Sequence, residues 1–100
     1  MSEQTYQLVV QLPSEDLDTL VALEESVEQE LGGAGEVDGH DLGMGESNVF
    51  ILTSDPRATF EKLRPALAGS SSMRVAYRRI EPFGDWVILY PPDLREFGVA

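Results

Sequence analysis

No cysteine occurs among the 100 residues, which excludes a disulfide framework, a thiolate zinc site and a cysteine nucleophile and fits a reducing compartment. No Lys or Arg occurs in the first fifty residues. That half carries twelve of the 18 acidic residues, while the second half sets all seven basic residues against the other six acids, so the formal net charge of −11 divides as −12 and +1. No apolar run approaches the roughly 18 residues that suggest a membrane span. The opening Met1-Ser2-Glu3-Gln4-Thr5-Tyr6 has neither the positive charge nor the apolar stretch of a secretory signal, so the expected location is the cytoplasm. Histidine is present once, as His40.

A charge of this sign repels phosphate backbones and anionic leaflets, because both are bound by Lys and Arg that displace counterions. The expected partner is therefore a protein with a basic surface, not a nucleic acid or a membrane. At 42% hydrophobic residues, a chain of this length makes one domain, residues 1–100, with a modest core.

Tyr6, Leu8, Val10 and Leu12 alternate with Gln7, Val9 and Gln11, the pattern of a strand with one buried side. Pro13-Ser14 ends it, and Ser14 with Glu15 and Asp16 suits the first turn of a helix. Leu17, Leu20, Val21, Val27 and Leu31 recur at helical spacing up to the stop at Gly32-Gly33. Glu36 to Leu42 reads as a short edge strand, Gly43-Met44-Gly45 as a turn, and Asn48 to Thr53 as a strand. Asp55-Pro56 opens a second helix with Phe60, Leu63 and Leu67 as its apolar stripe, which Pro65 kinks or ends early. Gly69 to Ser72 is a loop. Met73 to Ile80 and Trp86 to Tyr90 form a hairpin across Glu81-Pro82-Phe83-Gly84-Asp85. Pro91-Pro92 ends the last strand, and residues 93–100 form a tail in which Phe97 is placed to dock.

The expected fold is α+β: β-α-β-β-α-β plus one C-terminal strand, a mostly antiparallel sheet with both helices on one face. This order resembles the ferredoxin-like superfold in the manner of ACT-type regulatory domains. Gly43 to Ile51, Asp55-Pro56, Tyr77-Arg78 and Val87 to Pro91 are also similar to stretches of small bacterial proteins with no assigned activity. The resemblance implies the fold and no reaction.

Chemistry has few places to sit. In a regular strand Glu36, Asp38 and His40 share one side, as a divalent metal would require, and a carboxylate could orient His40 as a base. The ordinary alternative is a solvated edge whose charges deter pairing with another chain. Gly43-x-Gly45 precedes a strand where a phosphate loop would precede a helix. Arg57 stands near the start of the second helix, but Asp55 already caps those amides. Ser70, Ser71 and Ser72 lie in a loop without the Gly-x-Ser-x-Gly elbow of a nucleophile.

Two surfaces remain. On the side of the sheet away from the helices, Arg74 and Arg78 join Trp86 and Tyr90, a face suited to a partner, a second copy or cover by the tail. The other surface is acidic: Glu24, Glu25, Glu28, Glu36, Asp38, Asp41 and Glu46. Arg57, Lys62 and Arg64 of the second helix are the intrachain cations that could neutralise it. The leading expectation is a non-enzymatic interaction or regulatory module, without cofactor, that binds a basic protein or forms a homodimer through its sheet. The alternatives are a small-ligand ACT-like regulatory domain with its site near Gly43 to Asn48, and a metal-assisted enzyme using Glu36, Asp38 and His40.

Overall fold

A computed structural model of the chain describes residues 6–13, 17–43, 45–67, 73–80 and 84–99. Seven elements follow one another: β1 (Tyr6–Leu12), α1 (Leu17–Leu31), β2 (Glu36–Gly43), β3 (Glu46–Thr53), α2 (Pro56–Leu67), β4 (Arg74–Arg79) and β5 (Val87–Tyr90). The strands form one open sheet in the order β2-β3-β1-β4-β5. Every neighbouring pair is antiparallel.

Alternation decides which side of this sheet is core. Leu8 and Val10 on β1, Val49 and Ile51 on β3 and Val75 on β4 are fully buried, in one cluster with the helix residues Leu20, Leu23, Val27, Leu31, Phe60, Leu63 and Leu67. Both helices therefore pack against the same face, as expected. The stripe on α1 is rotated from its expected position: Leu23 is buried, whereas Leu17 is 54% and Val21 40% exposed. Leu20, Leu23, Val27 and Leu31 already satisfy the i, i+3, i+7, i+11 spacing of one helix face, which leaves the 17–21 row at its flank.

α2 starts as the sequence predicts. Ala58 N donates to Asp55 Oδ1 at 3.1 Å, so the carboxylate satisfies an orphan amide of the first turn. Pro65 lies inside the helix yet neither stops it nor is buried, because Leu67, only 1% exposed, holds the last turn in the core. At the far end of α1, Lys62 Nζ comes within 3.4 Å of where a Cβ on Gly32 would lie. It places a cation by the carbonyl end of a helix whose last turn has no basic residue of its own.

Ser14, Glu15, Asp16, Met44, the segment 68–72 and Glu81 to Phe83 lie outside the described residues, so the cap, turn, loop and hairpin expected there are not assigned. Among the described residues, no helix is long and apolar enough to cross a membrane.

Candidate functional site

β2 is an edge strand, and its regularity breaks once. Val37 pairs with Ile51 and Gly39 with Phe50, so Asp38 is an extra residue without an opposite number. Gly39 has φ +142°, a conformation that a side chain would strain and that fits a bulge. The inserted residue reverses the alternation. Glu36 pairs with Leu52 on the outer face, whereas His40 pairs with Val49 and so turns to the helix side.

There His40 Nδ1 lies 2.9 Å from Glu24 Oε2 of α1, with the Glu24 side chain 22% and the His40 side chain 42% exposed. Glu36, Asp38 and His40 thus do not share a side, contrary to the regular-strand expectation. Among the described residues, no three His, Cys, Asp or Glu side chains converge as a metal site would need.

The His40–Glu24 contact joins α1 to β2 and makes their outer surfaces continuous. Along α1, Leu17, Val21, Glu24 and Glu28 follow at i, i+4, i+7 and i+11, on the flank next to β2. Glu25 and Glu28 are exposed, as are Glu36, Asp38 and Asp41 on β2, while Glu46 is half-buried at the start of β3.

Among the described residues, α2 forms no ion pair with the α1 glutamates, although Lys62 stands by the end of α1. Arg64 pairs with Glu61 of its own helix at 3.0 Å, and Arg57 sits 5.7 Å from the Tyr77 ring centroid. Among the described residues, no ion pair joins Glu25, Glu28 or Glu30 to Arg57, Lys62 or Arg64. β4 carries its cations on the other side of the central strand from β2.

The outer face of the sheet is occupied by the chain itself. Val9 and Ala76 are fully buried there, and Gln11 and Asn48 nearly so. Arg78 Nε donates to Gln7 Oε1 at 2.9 Å, and its guanidinium lies 4.4 Å from the Trp86 ring centroid, a cation–π arrangement. Trp86 meets Phe97 edge-on at 4.9 Å. Gln11 Nε2 donates to Asn48 Oδ1 and to Gly98 O, both at 3.0 Å. Residues 94–99 form no strand and cross the face as a strap.

Arg78 and Trp86 are where the sequence places them, and Arg74 is exposed at the same face. Tyr90 is not. The β4–β5 register is irregular between Val75 and Ala76, which sets Tyr90 opposite Val75 and its ring 6.5 Å from Phe60 on the helix side. Periodicity alone also misses the buried Gln11–Asn48 pair; a polar residue opposite the turn in each of two central strands is the signal that points to it.

Gln11, Pro13, Gly45, Glu46 and Arg74 line a cleft of about 160 Å³. It lies at the Gly43 to Asn48 region and offers a cation, a carboxylate and an amide. No protein-family model, curated protein or solved structure matches the chain.

Proposed function

We propose that the chain is a non-enzymatic interaction module that docks a basic protein through α1 and β2. The observation that carries this is the continuous surface built by the 2.9 Å His40–Glu24 contact. It combines exposed Leu17 and Val21 with Glu24, Glu25 and Glu28, and runs over the β2 edge to Asp38 and to Glu36 and Asp41 at the rim of the outer face. Apolar contact residues ringed by charge of one sign suit a protein interface, where burial supplies affinity and charge supplies partner choice and association rate. Glu24 and Glu28 are like charges at i,i+4, and Glu28 and Glu30 sit near the helix's negative end, a cost that a cationic partner relieves.

The strand order β2-β3-β1-β4, with a helix after β1 and after β3, supports grouping the layout with ferredoxin-like, ACT-type domains, β5 being the edge addition. A second reading, a small-ligand regulatory domain, draws support from the cleft beside Gly45. Under that reading, a thermal-shift screen of amino acids and nucleotides raises the unfolding midpoint with some ligand, and Arg74→Ala removes the effect.

The interaction reading is tested with the full chain in host extract, followed by native mass spectrometry. A complex should survive in about 0.05 M salt and dissociate near 0.5 M. The Glu25→Lys/Glu28→Lys variant should lose it while keeping its far-ultraviolet dichroism. A chain that stays free under both conditions, or a complex indifferent to this variant, overturns the assignment.

A further inference from the structure

The outer sheet face has a charge pattern that matches itself. Across the strands, register aligns Arg78, Gln7, Leu52 and Glu36 in one row and Arg74, Gln11, Asn48 and Asp41 in another. Between them runs Ile88, Ala76, Val9, Phe50 and Gly39. Both outer rows are positive at the β4 end and negative at the β2 end, and the middle row is apolar. A two-fold axis parallel to the strands, passing over the β1–β3 boundary, reverses the order of the strands and preserves the rows. It sets Glu36 of one copy over Arg78 of the other, and Asp41 over Arg74, with the apolar rows face to face. Such an interface is isologous and closes at two copies, and it has the geometry of aligned sheet packing.

We propose that this face is a self-association surface on which a second copy of the chain competes with the C-terminal strap. An open antiparallel sheet with one solvated face normally shows polar residues there. Here Val9 and Ala76 are fully buried, and the strap crosses the face on which they lie, at Trp86 and Gln11. The strap is held by the Phe97–Trp86 ring contact, the hydrogen bond from Gln11 Nε2 to Gly98 O and the half-buried Leu94 and Val99, and its residues 94–99 form no strand. Its exchange for a second sheet trades these contacts for the middle row and four interchain ion pairs.

The surface shares Glu36 and Asp41 of β2 with the one assigned to a basic partner but none of α1, so Glu25 and Glu28 take no part in it. The net −11 of each copy opposes association at low salt, so screening favours the pair of copies and weakens a basic partner's hold.

Trp86, the single tryptophan, reports on the strap. In the full chain, Phe97→Ala should red-shift its emission and raise acrylamide quenching with dichroism retained. Sedimentation velocity should then show a dimer at concentrations where the parent chain is a monomer. In that background, Arg74→Asp or Asp41→Arg alone should weaken dimerisation by about tenfold or more. Mixing these two variants should restore a dimer, because each mismatched position meets its complement on the other copy.

A loosened strap on a persistent monomer up to about 1 mM overturns the proposal. So does a dimer indifferent to both charge reversals, or Trp86 emission that ignores Phe97. If Phe97→Ala does not fold, the same two reversals and their mixture are made in the parent chain, over the same concentrations in about 0.5 M salt. A parent dimer that each reversal weakens and the mixture restores then upholds the proposal, and any other pattern overturns it.

Discussion

Thr53 shows how a buried polar residue earns its place. It is fully buried at the end of β3, with Oγ1 3.0 Å from Ala34 O, 2.7 Å from Thr59 Oγ1 and 3.1 Å from the Asp55 amide that donates to it. Thr59 in turn donates to Asp55 O at 2.7 Å. The two hydroxyls knit the α1–β2 loop to the start of α2. Replacing Thr53 removes its bonds to Ala34 O and from the Asp55 amide, while Thr59 keeps Asp55 O, so Thr53→Val should cost about 1–3 kcal/mol. That corresponds to a midpoint lower by roughly 4 °C or more for a domain of this size. Thermal unfolding of Thr53→Val, Thr59→Val and the double variant checks this: the double loss should be less than the sum of the two singles, since they share a network. Strict additivity would mean that the hydroxyls act separately. Residues of this kind are hard to read from the chain alone. Thr53 ends an apolar run and looks like any β-branched strand residue, and only the approach of Ala34, distant along the chain, gives it a role.

At the scale of elements, periodicity makes β1, β3 and both helices legible, and Asp55-Pro56 marks the start of α2 through the chemistry of its cap. What periodicity hides is a single inserted residue. Asp38 in β2 and the irregularity between Val75 and Ala76 each shift the alternation by one. Each thereby moves a candidate site residue, His40 or Tyr90, to the opposite face. Neither irregularity has a composition signature beyond Gly39. Phe97 marks the tail as a cover for the sheet, but the strap's hydrogen bond to Gln11 spans 87 positions and has no local signal. Pro65 tests whether packing or propensity rules α2. The ring denies Glu61 its helical hydrogen-bond donor and crowds that carbonyl, a burden of about 3 kcal/mol in a helix interior. Near the exposed last turn part of this is already relieved, so Pro65→Ala should raise stability by about 1–2 kcal/mol. Urea unfolding should show a higher midpoint at unchanged slope. An unchanged or lower midpoint would mean that the proline shapes the docking of Leu63 and Leu67.

Over the whole molecule, the charge division of the sequence becomes a division in space. The acids gather on α1 and the β2 edge, whereas α2 and β4 hold six of the seven cations, Arg57, Lys62, Arg64, Arg74, Arg78 and Arg79, with β4 beyond the central strand from β2. The chain measures 36 × 29 × 22 Å. At about 0.01 M salt the Debye length is roughly 30 Å and every charge feels nearly all the others; at 0.15 M it is about 8 Å and only neighbours count. Two opposing effects are thereby separated. If attraction between the acidic and basic sides dominated, salt would weaken it and lower the unfolding temperature. With −11 overall and the α1 carboxylates unpaired with α2, self-repulsion dominates, so the midpoint should rise with salt, by about 5 °C between 0.01 and 0.15 M and little beyond. Glu28→Lys removes one like-charge contact and places a cation in the last turns of α1. It should raise the low-salt midpoint by about 1–5 °C and flatten the salt dependence. A midpoint that falls with added salt would show the two sides already neutralising each other, and would remove the electrostatic reason for a basic partner on α1.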